Sequence, residues 1–206
     1  MNLKKERRNN LGESNRRGNF LKRFWLFLKK DTWQSWIVSL ILAFVFIKFI
    51  FFPGLSFVMG TPLPLVVVES CSMYHSENFN KWWESNADWY LSRGIEKDDF
   101  EDYSFKNGLN KGDIILVKGD DEYDKGDIII FNSVYRFPVI HRVVKTEPYG
   151  TKGDNGRTNY DQLPHEKEID DDKVLGKAAA RLPGLGWVKL IFFEGAREEG
   201  QRGFCK

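Results

Sequence analysis

The stretch VVVESCSMYHS, residues 66–76, begins as a β-branched run and ends in small polar side chains. The valines favour a buried, pleated backbone, and the serines stop that pattern. Just upstream lies WIVSLILAFVFIKFIFF, residues 36–52, apolar apart from Ser39 and Lys48. As a helix this segment would span about 25 Å, close to a hydrocarbon core of about 30 Å. Every face of it is apolar, which argues against a surface helix. A buried core helix and a cleaved secretory signal are the competing readings. A secretory h-region is normally shorter, and no A-x-A site follows. The expectation is an uncleaved signal-anchor over residues 31–53, ended by Pro53-Gly54.

Charge sets the orientation. Residues 1–30 hold ten Lys/Arg against Glu6 and Glu13, a net +8, so the remaining residues carry −6 of a formal total of +2. A nucleic-acid binder would spread its basic charge over the folded part, so no nucleic-acid partner is expected. A basic arm ahead of an apolar helix fits a cytoplasmic N-terminus, with residues 54–206 outside the lipid bilayer. The arm has no apolar period up to about Asn19 and is expected to lack order. Two cysteines, Cys71 and Cys205, make neither a disulfide framework nor a four-ligand zinc site, so neither is expected to sustain the fold.

Beyond the anchor, LPLVVVE (63–69), GDIILVKG (112–119), GDIIIF (126–131), FPVIHRVVKTE (137–147), KVLGKAAARLPG and GWVKLIFF read as strands, with Gly-Asp supplying turns. Residues 77–110 differ: Phe79, Trp82, Trp83, Trp89 and Tyr90 recur at three- and four-residue steps. Two short helices joined near Ser92-Arg93-Gly94 would result, with aromatics that form a small core or rest on the bilayer. The fold class is therefore mainly β: an antiparallel β domain on one transmembrane helix, with a helical insertion at 77–110.

Only three histidines are present, His75, His141 and His165. A serine needs a base to take its proton during attack. His141, inside the apolar strand PVIHRVV, suits that role if a carboxylate holds its other ring nitrogen. Asp154, in the turn KGDNG, and Asp161 follow that strand closely enough to fold back beside it. The alternative for His141 is a core histidine bonded to backbone, and for Asp154 a turn residue. No metal-ligand spacing is present, GTKGDNG misses the phosphate-loop spacing, and no cofactor is expected.

These residues carry a resemblance. SCSM (70–73) after an anchor and a short strand resembles the S-x-S-M box of the type I signal peptidases. GDIILV and GDIIIF resemble that family's paired strands. PVIHRVV resembles the box that holds histidine in its archaeal and endoplasmic-reticulum branch, and TKGDN its G-D-N box. The four boxes stand in family order over residues 34–192. The resemblance implies a membrane-bound serine endopeptidase that cuts signal peptides from preproteins at the outer membrane face, with the secretion translocon as a further partner. Ser72 would be the nucleophile and His141 the general base, with Asp154 and Asp161 as the acidic residues. The Ser72 amide and the Ser70 hydroxyl would form the oxyanion hole. The absence of an N-glycosylation sequon favours an archaeal-type cell membrane over the endoplasmic reticulum.

The chain departs from the family pattern in places. Asp161 lies seven residues beyond Asp154 where the family has about six, Tyr74-His75 replaces the usual proline, and Cys71 replaces a small residue. A membrane-tethered, inactive scaffold with the same β domain is the rival reading.

Overall fold

The computed structural model describes residues 22–23, 25–135 and 137–206. The part of the basic arm expected to lack order lies outside the described residues. Two compact units divide between Gly54 and Leu55.

Thr32 caps helix α1, accepting from the Ser35 amide, and the helix runs from Trp33 to Met59. At 27 residues it is long and apolar enough to cross a membrane. It continues through Pro53-Gly54, where the sequence pattern places its end. The reason lies in a π turn at Ile47–Phe51, where the Phe52 amide reaches back to the Ile47 carbonyl. A wider turn just before Pro53 relieves the clash its ring would make with the preceding turn. Leu55, Phe57, Val58 and Met59 keep the extension apolar.

The second unit is built on one six-stranded sheet. Its strands are β1 (Leu65–Val67), β2 (Ile114–Lys118), β3 (Ile128–Phe131), β4 (Val139–Thr146), β5 (Tyr149–Lys152) and β6 (Val174–Leu182). Their order is β1-β2-β6-β3-β4-β5, and every pairing is antiparallel. The two Gly-Asp strands, expected to pair with each other, instead flank β6. Strand β3 is buried on both faces, as an all-apolar IIIF run requires. Ile128 and Ile130 pack with Val68, Met73, Ile115 and Val117 on one side. Ile129 and Phe131 pack with Tyr123, Val143 and Ile169 on the other.

The insertion forms helices α2 (Phe79–Leu91), capped by Asn78, and α3 (Lys97–Asp102), capped reciprocally by Glu96 and Asp99. Trp82, Trp83, Tyr90 and Phe100 close a core of their own with Ile95 and with Val144 of β4. The aromatics are thus internal. GWVKLIFF is not a strand: Trp187–Leu190 forms a short helix, α4. Gly186 donates to the Gly112 carbonyl and the Trp187 indole to the Lys111 carbonyl, contacts that fold the segment back rather than extend it. With α1 and the insertion counted, helical residues outnumber strand residues, which narrows "mainly β" to the sheet unit.

Gly108 closes the insertion against the serine loop. Its φ is +72°, and a Cβ there would lie 2.3 Å from the Met73 carbonyl and 2.6 Å from the His75 ring. Gly108→Ala is expected to lower the thermal midpoint by clearly more than Gly94→Ala. Gly94 has φ +67° and open space around it, so it reports only the left-handed backbone cost, about 1–2 kcal/mol.

Candidate active site

Ser72 lies in the turn after β1, and backbone contacts pin that turn from several directions. The Met73 side chain is buried in the core, and its carbonyl accepts from the Leu109 amide at 2.8 Å. The Asn155 amide donates to the Ser72 carbonyl at 2.8 Å, and the Asn155 Nδ2 donates to the Cys71 carbonyl at 2.8 Å. Gly153 approaches closely enough that a Cβ would lie 2.7 Å from the Ser72 carbonyl. The G-D-N turn therefore acts as a clamp on the serine loop. Within it the Ser70 and Ser72 hydroxyls are 3.0 Å apart.

Cys71 is joined to Cys205 in a disulfide, contrary to the expectation that the cysteines take no part in the fold. Arg197 reinforces this attachment of the C-terminal segment by donating to the Glu69 carbonyl at 3.1 Å and to its carboxylate at 2.7 Å. Spacing alone could not reveal the pair, because it depends on where the C-terminal segment packs.

His141 stands on β4. The β4–β5 ladder pairs Arg142 with Lys152, so the next step sets His141 across from Gly153, the residue that abuts the Ser72 carbonyl. The fold thus brings the Ser72 and His141 backbones to one end of the sheet. Among the described residues the Ser72 hydroxyl bonds to Ser70 and not to His141. The His141 Nδ1 is hydrogen-bonded to the Glu166 carboxylate. Glu166 is fully buried, and its other oxygen accepts from the Leu163 amide at 2.7 Å. With Nδ1 held this way, Nε2 is the nitrogen left for a hydroxyl.

The carboxylate beside His141 is therefore Glu166, and neither Asp154 nor Asp161 touches the imidazole. Alternation along β4 explains this: His141 and Arg142 face opposite sides of the sheet, and Asp154 lies on the Arg142 side. Asp154 receives Arg142 Nε at 3.0 Å and Nη2 at 2.7 Å, and it lies 3.3 Å from His75 Nε2. Asp161 is exposed and accepts from the Trp89 indole at 2.8 Å and from Arg93. Glu166 left a signal in the sequence: Leu163-Pro164-His165-Glu166 matches a short helical turn with proline at its first position and a capping glutamate. Arg142 left another, as a charge inside an apolar strand.

Arg142 has no solvent exposure, and its remaining donors reach the Ser104, Phe105 and Gly126 carbonyls. One guanidinium thus joins the insertion, the turn before β3 and the G-D-N turn. Burial would raise the Asp154 carboxyl, but Arg142 and His75 hold it well below its ordinary range. Arg142→Ala leaves this carboxylate buried and unpaired. It is expected to cost about 3–5 kcal/mol, read from the denaturant midpoint, and Arg142→Lys to recover only part because an ammonium lacks the planar fork.

Lys152 is also buried, and burial lowers its pKa to about 8, against the opposing pull of Asp154, Glu166 and Asp161. Below that value the fold carries a desolvated ammonium. Between about 8 and 10.5 the unfolded chain binds more protons than the folded one, so wild-type stability rises with pH in that window. Lys152→Met is expected to be more stable than wild type at pH 7 by up to about 3 kcal/mol. That gap should close as pH approaches 10.5, followed by paired denaturant titrations.

No family model matches the chain. Among curated proteins it is similar to the signal peptidase complex catalytic subunit SEC11 of Komagataella phaffii. The two are 30% identical over 107 residues, a match that covers 44% of this chain and 63% of the relative. The similarity to a signal peptidase catalytic subunit thus extends over less than half of the chain. The match spans less than two thirds of the relative's length. In this chain the carboxylate on the histidine comes from a turn beyond the G-D-N box, and the G-D-N aspartate serves a buried arginine instead.

Proposed function

We propose that this chain is a membrane-bound serine endopeptidase that removes signal peptides from secreted preproteins at the outer face of the membrane. The observation that carries the reading is the buried His141–Glu166 pair at the same end of the sheet as the clamped Ser72 loop. The similarity to a signal peptidase catalytic subunit supports the reaction class.

The chemistry follows from those groups. Ser72 Oγ attacks the scissile carbonyl while His141 Nε2 takes its proton, and Glu166 stabilises the imidazolium. The Ser72 amide and the Ser70 hydroxyl stabilise the oxyanion. The imidazolium then protonates the leaving amine, and water, deprotonated by the same imidazole, hydrolyses the acyl-enzyme and regenerates Ser72. Asp154 acts as a positioning residue: Arg142 fixes it, and Asn155, next in the chain, holds the Cys71 and Ser72 carbonyls. Asp161 acts away from the imidazole, through Trp89 and Arg93.

Helix α1 anchors the enzyme in the same bilayer that holds the substrate's apolar segment, which turns a bulk search into a local one. The substrate lies extended along residues 65–70 and 137–143, with small residues before the cut.

Purified full-length chain in detergent should cleave a preprotein bearing alanine at the positions flanking the cut. Ser72→Ala and His141→Ala should abolish cleavage, and Glu166→Gln should reduce kcat by about two to four orders of magnitude with the fold retained by circular dichroism. Cleavage that persists in Ser72→Ala would refute the mechanism. A wild type that binds the preprotein without cutting it would establish the scaffold reading.

A further inference from the structure

A cavity of about 610 Å³ opens between helix α2 of the insertion and the G-D-N turn. Two of its lining residues tie it to the serine loop. Tyr74 lies two residues beyond Ser72, and Asn155 holds the Ser72 carbonyl. The segment preceding Ser72, residues 65–70, is the one assigned to the substrate ahead of the cut. The cavity lies beside the residues that follow Ser72, on the Arg142 face of the sheet that also carries Lys152.

The walls state what they would accept. Lys152 lines the cavity with 1% of its surface exposed, yet no carboxylate lies within 4 Å of its ammonium among the described residues. Its Nζ donates to the Gly153 carbonyl at 2.9 Å and otherwise meets the Trp89 and Tyr90 rings, 5.0 and 5.2 Å from their centroids. An ammonium has three donors and is costly to bury without an anion, so this one has donor capacity that the protein does not use. Lys81 and Arg157, at the rim, form no ion pair among the described residues, whereas Arg93 is matched by Asp161. Glu77 and Asp88 are the acidic lining residues, so with Arg93 matched by Asp161 the cations Lys81, Lys152 and Arg157 outnumber them by one. Trp82 and Trp89 add apolar ring surface. Basic groups over aromatic walls suit a short acidic peptide.

We infer that this cavity is a subsite for the mature part of the substrate, and that it selects preproteins with an acidic side chain within the first few residues after the cleavage site. The inference rests on the endopeptidase reading above and adds a substrate class to it. The insertion at 77–110 thereby becomes a specificity element: α2 forms one wall, and its Asn86 meets the G-D-N turn at Gly156.

Two measurements test it independently. The first compares kcat/KM of the full chain for preproteins that differ only in carrying aspartate or lysine at the first three positions after the cut. The aspartate substrate should be favoured by about tenfold or more, a difference of about 1.4 kcal/mol. The double variant Lys81→Glu/Arg157→Glu should remove or invert that ratio while the small residues required before the cut stay the same. Equal kcat/KM values in the wild type would overturn the inference and leave the endopeptidase reading intact. The second uses Ser72→Ala and follows the binding of short peptides, rich in aspartate or in lysine, by tryptophan fluorescence. Tighter binding of the acidic peptide, weakened by Lys152→Met, supports the subsite even if the wild type cuts no preprotein. Indifference to peptide charge in this assay also overturns it.

Discussion

The buried ion pair of Arg142 and Asp154 is the constraint on which the site depends. Neither partner reaches solvent, so each charge exists in the interior only because the other does. The guanidinium also satisfies carbonyls at Ser104, Phe105 and Gly126, and the carboxylate also meets His75, which stacks on Trp82 at 3.8 Å. Three chain segments that are remote in sequence are thereby held to one point. Such a network contributes little net stability against an apolar core of the same volume, but it leaves one arrangement in which all its polar groups are paired.

That arrangement is transmitted to the serine loop chiefly through Asn155. Asp154 is locked, so Asn155 is placed, and Asn155 holds the carbonyls of both Cys71 and Ser72. Met73 anchors the same loop from inside the core, and the disulfide to Cys205 attaches it from the C-terminal side. The nucleophile proposed here stands on a turn whose backbone has few ways to move, which is what pre-organisation of an attacking hydroxyl needs. On the opposite face of β4, His141 has its own buried carboxylate, so two adjacent residues of one strand take separate partners: Arg142 builds the loop's support, and His141, the proposed base, is held by Glu166.

Strand-forming stretches were legible in the sequence because β-branched runs between Gly-Asp turns have few alternatives. The insertion was legible because its aromatics repeat at helical steps. Expectations failed where a local pattern was overruled by a distant partner. GWVKLIFF has strand composition but folds back on Gly112 and Lys111. The two Gly-Asp strands look like a pair, yet β6 arrives from some fifty residues downstream to lie between them. Pro53-Gly54 reads as a stop, and a π turn just before it lets the helix run on.

The sequence by itself determined which side chains are available for chemistry, the strand that carries His141, the apolar helix and the order of the boxes, since these follow from residue type and short-range periodicity. Only the tertiary structure decided that Glu166 rather than an aspartate faces His141, that Asp154 belongs to Arg142, and that Cys71 meets Cys205. Those choices depend on which face of a strand each loop returns to. A turn of ten residues can return a carboxylate to either face at nearly equal local cost, so the outcome is set by the buried charges that must find partners once the core has closed.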